Sequence, residues 1–260
     1  MRDRSRSSAR FLPKGIAILY EDKDILVVDK PSGLLTVATE REKSRTAHFI
    51  LTEYIRKGCG RARKRLFVVH RLDRDTSGTL IFAKSEEAML RLKAQWKQTE
   101  KKYLAVVHGR CEKSSETITS YLAEDKDYNV YSTSDSTKGR LSQTAYTVLR
   151  ETKSFSLLEV VLLTGRKNQI RVHLAGIGHP IVGDTKYGKY GKEDESQSRL
   201  ALHARSISFK HPFSGKKLTF EAEVPVFFTT LVGRIDRQND HSGPSTGLAK
   251  FSRTQLPPTG

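Results

Sequence analysis

The chain has 260 residues, with 46 Lys and Arg against 29 Asp and Glu, a net charge of +17 and a pI near 9.9. That length can bury a real core in one large domain or two small ones, and so large a cationic excess suits a polyanionic partner, nucleic acid before an anionic membrane. No apolar run approaches the ~20 residues of a spanning helix, and the two cysteines, Cys59 and Cys111, lack CxxC spacing, so neither a disulfide framework nor a zinc site is supported.

Residues 1–14 (MRDRSRSSARFLPK) read as a flexible basic arm without the apolar core of a signal peptide. Together with the cysteine usage, this predicts a cytoplasmic protein. Ile16–Tyr20 and Ile25–Asp29 are β-rich runs around Glu21-Asp22-Lys23-Asp24, a hairpin signal, and Lys30-Pro31-Ser32-Gly33 turns the chain after them. Thr46–Lys57 has helical spacing and is expected to turn Phe49, Ile50 and Tyr54 inward, with Leu51 a further candidate. The Gly-interrupted loop RKGCGRARKR (56–65) follows. A solvated charge run has the same look, but the position directly before a reactive-looking segment favours phosphate contact through Arg61, Arg63, Lys64 and Arg65.

That segment is HRLDRDTSG (70–78), which gathers His70, Arg71, Asp73, Arg74 and Asp75 between the apolar runs Leu66–Val69 and Leu80–Ala83. A polar loop held between two core strands fixes a side chain at a cleft; a charged surface turn is the plain alternative.

Ser85 predicts an N-cap for a helix over about 86–98, with Glu86 and Glu87 in the first turn, where the macrodipole favours acids. Tyr103–Val107 reads as a strand, 110–142 as polar and irregular, and 145–150 with 155–163 as a hairpin around Thr152-Lys153-Ser154. A second dense segment, LLTGRKNQIRVHLAGIGHPIVGDTKYG (162–188), ends a strand and continues as a short helix over Asn168–Ala175, stopped by Gly176 and Gly178. Ile170, Val172 and Leu174 beside Arg171 would offer an apolar wall with one guanidinium, suited to a flat, partly polar ring; an arginine pairing with a surface acid is the bland alternative. Residues 202–209 and 217–223 read as strands around Ser214-Gly215, Pro225–Leu231 as a closing helix and 236–260 as a disordered tail. Many strands with three or four helices, not strictly alternating, predict an α+β domain over 15–235 with a mixed, largely antiparallel β-sheet and flanking helices.

Four segments resemble the signature segments of the RluA-like RNA pseudouridine synthases: HRLDRDTSG, KKYLAVVHG (101–109), the 162–188 run and LALHARSISFKHPFSGKKLTFEAEVP (200–225). ILYEDKDILVVDKPSGLLTV (18–37) is similar to that family's N-terminal strand pair, and the resemblance runs in order over about 16–232. It implies the pseudouridine synthase catalytic fold and isomerisation of uridine to pseudouridine in structured tRNA or ribosomal RNA. Carried over position by position, it implies that Asp73 is the catalytic aspartate and that Arg71 displaces the target nucleotide from its stack. It further implies that Tyr103 stacks on the target base and assists proton removal, that Arg171 pairs with the catalytic carboxylate, and that Ile170 and Leu174 line the base pocket. His70, Thr76, Ser77 and Gly78 are expected to shape the loop, and Asp75 to be a bystander. Many relatives carry an additional N-terminal RNA-binding module; residues 1–14 cannot fold into one, so substrate choice is expected to rest on the catalytic domain and its basic loops.

The implied reaction breaks the bond from ribose to ring nitrogen, rotates the base and rejoins the ribose to ring carbon 5. Nothing is oxidised or passed to a second substrate, so neither a redox cofactor nor a metal is implied. One carboxylate can attack ribose carbon 1′ or ring carbon 6, or act as a base at ribose carbon 2′; an adjacent guanidinium favours its charged form in a pocket that excludes water. The base must first be flipped out at a cost of a few kcal/mol, most of which stacking on an aromatic ring, worth about 1–3 kcal/mol per base, can offset. The competing reading is a non-catalytic RNA-binding or chaperone protein of the same fold, which has no need of Asp73, Tyr103 and Arg171 together. A metal-dependent nuclease would want clustered acids. RNA is the expected partner; no obligate protein partner or membrane is indicated, and a monomer is the default.

Overall fold

The computed structural model describes residues 15–40, 42–57, 59, 63–188 and 199–235. The expected arm (1–14), the expected tail (236–260) and Arg61 lie outside the described residues.

Strands β1 (Ala17–Glu21) and β2 (Ile25–Lys30) form the expected antiparallel hairpin, its turn built by Asp22 Oδ1, which accepts the amides of Asp24 and Ile25. The run ILVV in β2 has no polar face because both faces are covered. Leu26 and Val28 enter the main core, while Ile25 and Val27 enter a second core on the opposite side. Helix α1 (Ala47–Arg56) begins where the Thr46 side chain accepts from the Phe49 amide, and it ends with Lys57 in the left-handed region. Its inward face differs from the expected one. Ala47, Leu51 and Ile55, four residues apart, are buried; Ile50 and Tyr54 pack at the margin and Phe49 is exposed. Phe49 falls outside the seam, which the four-residue spacing of Ala47, Leu51 and Ile55 sets.

Strands β3 (Phe67–Val68) and β4 (Ser77–Ala83) bracket the polar loop. Helix α2 (Glu86–Ala94), capped by Ser85, stops earlier than expected and gives way to a 3₁₀ turn at Trp96–Gln98. Its Ala88 and Leu92 seal the second core. Then follow β5 (Glu100–His108), β6 (Ser115–Glu124), β7 (Val130–Thr133), β8 (Arg140–Glu151), β9 (Phe155–Leu162), α3 (Gln169–Gly176), β10 (Leu202–Lys210), β11 (Lys217–Glu221) and α4 (Val226–Val232). The expectation of irregular chain over 110–142 is corrected, since β6, β7 and the start of β8 occupy it. These strands end the sheet and are largely open to solvent, so Ser and Thr fill positions that an apolar alternation would otherwise have marked.

Among the described residues the strands make one mixed, mostly antiparallel sheet in the order β1-β2-β4-β10-β5-β9-β8-β6-β7, with β3 on β4 and β11 on β10. Only β4 and β10 pair in parallel. One edge of β4 is taken by β2 along its length; the other is shared between β10, at Ser77 and Gly78, and β3, at Phe82 and Ala83. The loop from β3 to β4 therefore stands out of the sheet where β10 enters, facing β5 across it. Gly78 permits this junction: its φ is +113°, and a Cβ there would lie 2.2 Å from the Ala204 carbonyl oxygen.

Candidate active site

The backbone on either side of Asp73 is tied down. Thr36 Oγ1 accepts the Leu72 amide at 3.1 Å and donates to the Leu72 carbonyl at 2.8 Å. The ammonium of Lys30, fully buried, donates to the carbonyls of Pro31, Leu34 and Arg74 at 2.8, 2.8 and 3.0 Å, and Ser32 Oγ donates to the Asp75 carbonyl at 2.8 Å. Burial pulls the Lys30 pKa down to about 8 against the attraction of Asp75, Asp73 and Asp29. His70 accepts the Ile81 amide through Nε2 at 3.1 Å and packs on Trp96 with ring centroids 4.6 Å apart. Burial, with Lys101 nearby, lowers its pKa to about 3, so it is a neutral structural ring. Ser77 Oγ bonds His203 Nδ1 at 2.9 Å and locks the loop's exit to β10.

A cavity of about 350 Å³ opens above this loop. Asp73 and Arg71 line it from the loop, Tyr103 from β5, and Ile170 and Arg171 from α3, with Leu72, Leu162 and Leu202 supplying apolar wall. Arg171 Nη1 lies 3.6 Å from Asp73 Oδ2. The tighter partner of Arg171 is Asp184, which sequence reasoning passed over: Nε and Nη2 each meet an Asp184 carboxylate oxygen at 2.7 Å, and the Asp184 side chain is wholly buried. Burial opposes the charge on Arg171, but Asp184, reinforced by Asp73 and Tyr187, raises its pKa above the ordinary value. Asp184 Oδ1 also accepts the Lys186 and Tyr187 amides at 3.0 Å, which fixes the carboxylate within its own turn.

Asn168, the residue before α3, closes the other side of Asp73. It sits at φ +52° and makes no capping bond to the helix it precedes. With the amide oriented to satisfy both neighbours, its nitrogen donates to Asp73 Oδ2 at 2.8 Å and its oxygen accepts from the Tyr187 hydroxyl at 2.9 Å. Tyr103 is buried, and burial followed by the charge of Asp73 raises its pKa, so its hydroxyl keeps its proton at neutral pH.

The remaining sequence-derived residues fall in different places. Arg71 is exposed at the cavity rim. Leu174 is not on the wall; one helical turn past Ile170 on the same face, it is fully buried in the main core. Val172 faces away, packing with Leu122 and Val130. Arg63, Lys64 and Arg65 are exposed and outside the cavity; Arg65 lies over the Phe67 ring at 4.7 Å, and the Lys64 carbonyl accepts from Arg56. Lys30, Thr36, Asn168, Asp184 and Tyr187 were missed as site residues, although DKPSGLLT (29–36) and GDTKYG (183–188), which hold all of them but Asn168, stand out as turn-rich runs.

Two other features lack this convergence. A depression of about 400 Å³ around Glu100, Lys102, Glu159, Arg205 and Glu221 is larger, but four of these charges form two ion pairs, Lys102 with Glu159 at 3.5 Å and Arg205 with Glu221 at 2.8 Å. Asp22, Asp24 and His211 cluster at metal-ligand distances, yet His211 Nδ1 accepts the Phe213 and Ser214 amides, so Nε2 carries the proton and points it at Asp22.

The family model for RNA pseudouridylate synthase matches residues 24–176, a span that contains Asp73, Tyr103 and Arg171. The chain belongs to this family. It is 38% identical over 223 residues to an uncharacterised RNA pseudouridine synthase of Mycoplasma pneumoniae, covering 84% of this chain and 70% of that protein. It is 35% identical over 229 residues to ribosomal large subunit pseudouridine synthase C of Buchnera aphidicola, with the same coverage of 84% and 70%. Among solved structures, human RNA pseudouridylate synthase domain containing 4 superposes with a TM-score of 0.70 at 25% identity, covering 82% of this chain and 90% of that one. The protein is thus an RluA-like RNA pseudouridine synthase, an isomerase whose substrate is RNA. Among the described residues, no helix is long and apolar enough to cross a membrane.

Proposed function

We propose that this enzyme isomerises uridine in large-subunit ribosomal RNA and that Asp73 is the group that acts at the bond between ribose and base. The carrying observation is the placement of Asp73: its loop is tied at both neighbours, Arg171 and Asn168 contact its carboxylate, and a quarter of its side chain stays open to the cavity. A turn held only at the surface needs none of this. The ribosomal target is supported by the similarity to a relative that carries a large-subunit name.

In this reading the target nucleotide leaves its stack, and Arg71 on the rim fills the gap while the base lies against Tyr103 and Ile170. Arg171 offsets negative charge at Asp73 before and after the ribose bond breaks. The ring then turns, carbon 5 bonds to ribose carbon 1′, the proton on carbon 5 leaves and ring nitrogen 1 gains one. Tyr103 enters this sequence with its proton in place, so it serves first as a stacking face. The basic residues Arg63, Lys64 and Arg65 hold flanking phosphates outside the cavity.

The test is carbodiimide mapping of pseudouridine in ribosomal RNA and tRNA incubated with the protein. A new pseudouridine in large-subunit RNA is expected, and modification confined to tRNA would transfer the target there. Asp73→Asn should retain RNA binding and lose isomerisation; appreciable turnover by that variant would remove Asp73 from the chemistry.

A further inference from the structure

The hairpin joining β6 to β7 leans over the rim of the cavity. Lys167, on the rim, pairs with Glu124 at the end of β6 and donates to the Tyr128 carbonyl at 3.0 Å. On its other side the Tyr187 hydroxyl, which also meets Asn168, accepts the Val130 amide at 3.3 Å. The tip is therefore anchored to the same residues that surround Asp73.

The tip is also tightly built. The Asp125 carboxylate accepts the amides of Asp127 and Asn129 and the Asn129 side chain, and the Asp125 carbonyl accepts the Tyr128 amide at 3.0 Å. This frame holds Tyr128 at φ +61°, a region that bulky side chains avoid because Cβ crowds the backbone. Yet the residue is 72% exposed, and the Lys167 ammonium 5.5 Å from its ring centre covers little of it. A single exposed tyrosine is ordinary. A strained one on a rigid turn, one lysine's length from a catalytic cavity, gains nothing for the fold to offset its strain.

We propose that Tyr128 is a stacking platform for an unpaired RNA base beside the flipped target, an assignment that rests on the RNA pseudouridine synthase reading of the Asp73 cavity. Charge at the tip decides which part of the RNA it meets. Glu124 is taken up by Lys167 and Asp125 by its own turn, while exposed Lys126 and Asp127 offset each other, so the tip carries no excess cation for phosphate. The tip thus offers a ring face rather than a backbone clamp, and phosphates fall to Arg166 and Lys186 around it. When the target leaves its stack, its neighbour loses a stacking surface, and Tyr128 supplies one that accepts any base.

The test uses Tyr128→Gly, which removes the ring and relieves the left-handed strain, and Tyr128→Trp, which keeps a stacking face. Two readouts are needed: thermal unfolding, and binding of a short fluorescein-labelled single-stranded oligouridylate alongside turnover on a large-subunit ribosomal RNA transcript. The expected result is a midpoint for Tyr128→Gly equal to or above wild type, with binding and kcat/KM each weakened about ten-fold, and near wild-type values for Tyr128→Trp. Wild-type binding by Tyr128→Gly overturns the proposal, as does a lowered midpoint, which would make the ring a structural brace. If the wild-type protein forms no pseudouridine, the function reading fails, while the oligouridylate arm still decides whether Tyr128 stacks.

Discussion

Arg171 is shared unequally between two carboxylates, and the chemistry proposed for Asp73 gives the inequality a use. Asp184 takes two nitrogens at 2.7 Å and aims the guanidinium; Asp73 meets the third at 3.6 Å and rests beside the charge without being locked into a bidentate pair. Asn168 supplies the closer hydrogen bond from the opposite side. The groups facing Asp73 are then Arg171 from α3, the Tyr103 hydroxyl from β5, Lys30 from beneath the loop and the Asn168 amide backed by Tyr187. Asn168→Asp keeps the size and the tolerance for a positive φ but sets a like charge against Asp73 in place of a donor. Two carboxylates so close resist double ionisation, so a proton is retained to higher pH. The acidic limb of kcat/KM is expected to move up by about one unit or more, with little change in melting temperature. A limb that stays in place would show that Asn168 does not govern Asp73. The resemblance to the synthase family singled out Asp73 and Tyr103, and Arg171 was legible also as the one cation in an apolar stretch of helix. Asp184 was not, since a partner across a turn leaves no periodic trace and Gly-Asp reads as turn chemistry on its own.

At the scale of elements, the candidate site depends on β4 and β10 meeting in parallel at Ser77 and Gly78, directly after the loop that carries Asp73. Gly78→Ala would drive a methyl group into the Ala204 backbone at a φ that side chains rarely adopt. The clash is with backbone, which cannot rotate away, so a destabilisation of about 3 kcal/mol is expected from overpacking and strain together. Urea unfolding measures it, and a midpoint close to wild type would mean that the junction is looser than the structure shows. This junction explains what could and could not be read in advance. The hairpin of β1 and β2, the cap at Ser85 and the strand pair around Thr152-Lys153-Ser154 are local, and local chemistry marked them. The parallel contact joins segments more than a hundred residues apart, and nothing near Gly78 announces its partner. The same holds for β6 and β7, where α3 covers only the stretch around Leu122 and Val130 and the rest keeps too much solvent to impose an alternation. The inner face of α1 was misread for a related reason: Ala47, Leu51 and Ile55 are chosen by the sheet they cover, and that sheet is assembled from distant chain.

For the molecule as a whole, acid is the sensitive direction, and three histidines, two buried and one partly buried, set it. Burial lowers His70 to about 3 and His173 to about 4; burial, with Arg205 adding to it, lowers His203 to about 4. In the unfolded chain each takes up a proton near 6.5. Between pH 6.5 and about 4 the unfolded state therefore binds more protons than the native state, and acidification through that window removes stability. Asp29 works in the opposite sense. Burial and Glu223 push its carboxyl up to about 6, so the folded chain holds a proton that the unfolded chain has released down to about 4. Three sites against one leave a net loss as pH falls, while the lowered pKa of Lys30 bears only on the alkaline side, where the unfolded chain keeps its proton from about pH 8 to 10.5. Two of the three histidines, His70 and His203, hold the loop that carries Asp73, so proton uptake undoes the scaffold of the site along with the fold. The midpoint of urea unfolding should fall steadily from pH 6.5 to 4, with activity lost in parallel on the same samples. A midpoint that is flat across this range would mean that these histidines reach water in the folded protein and take up protons without unfolding it.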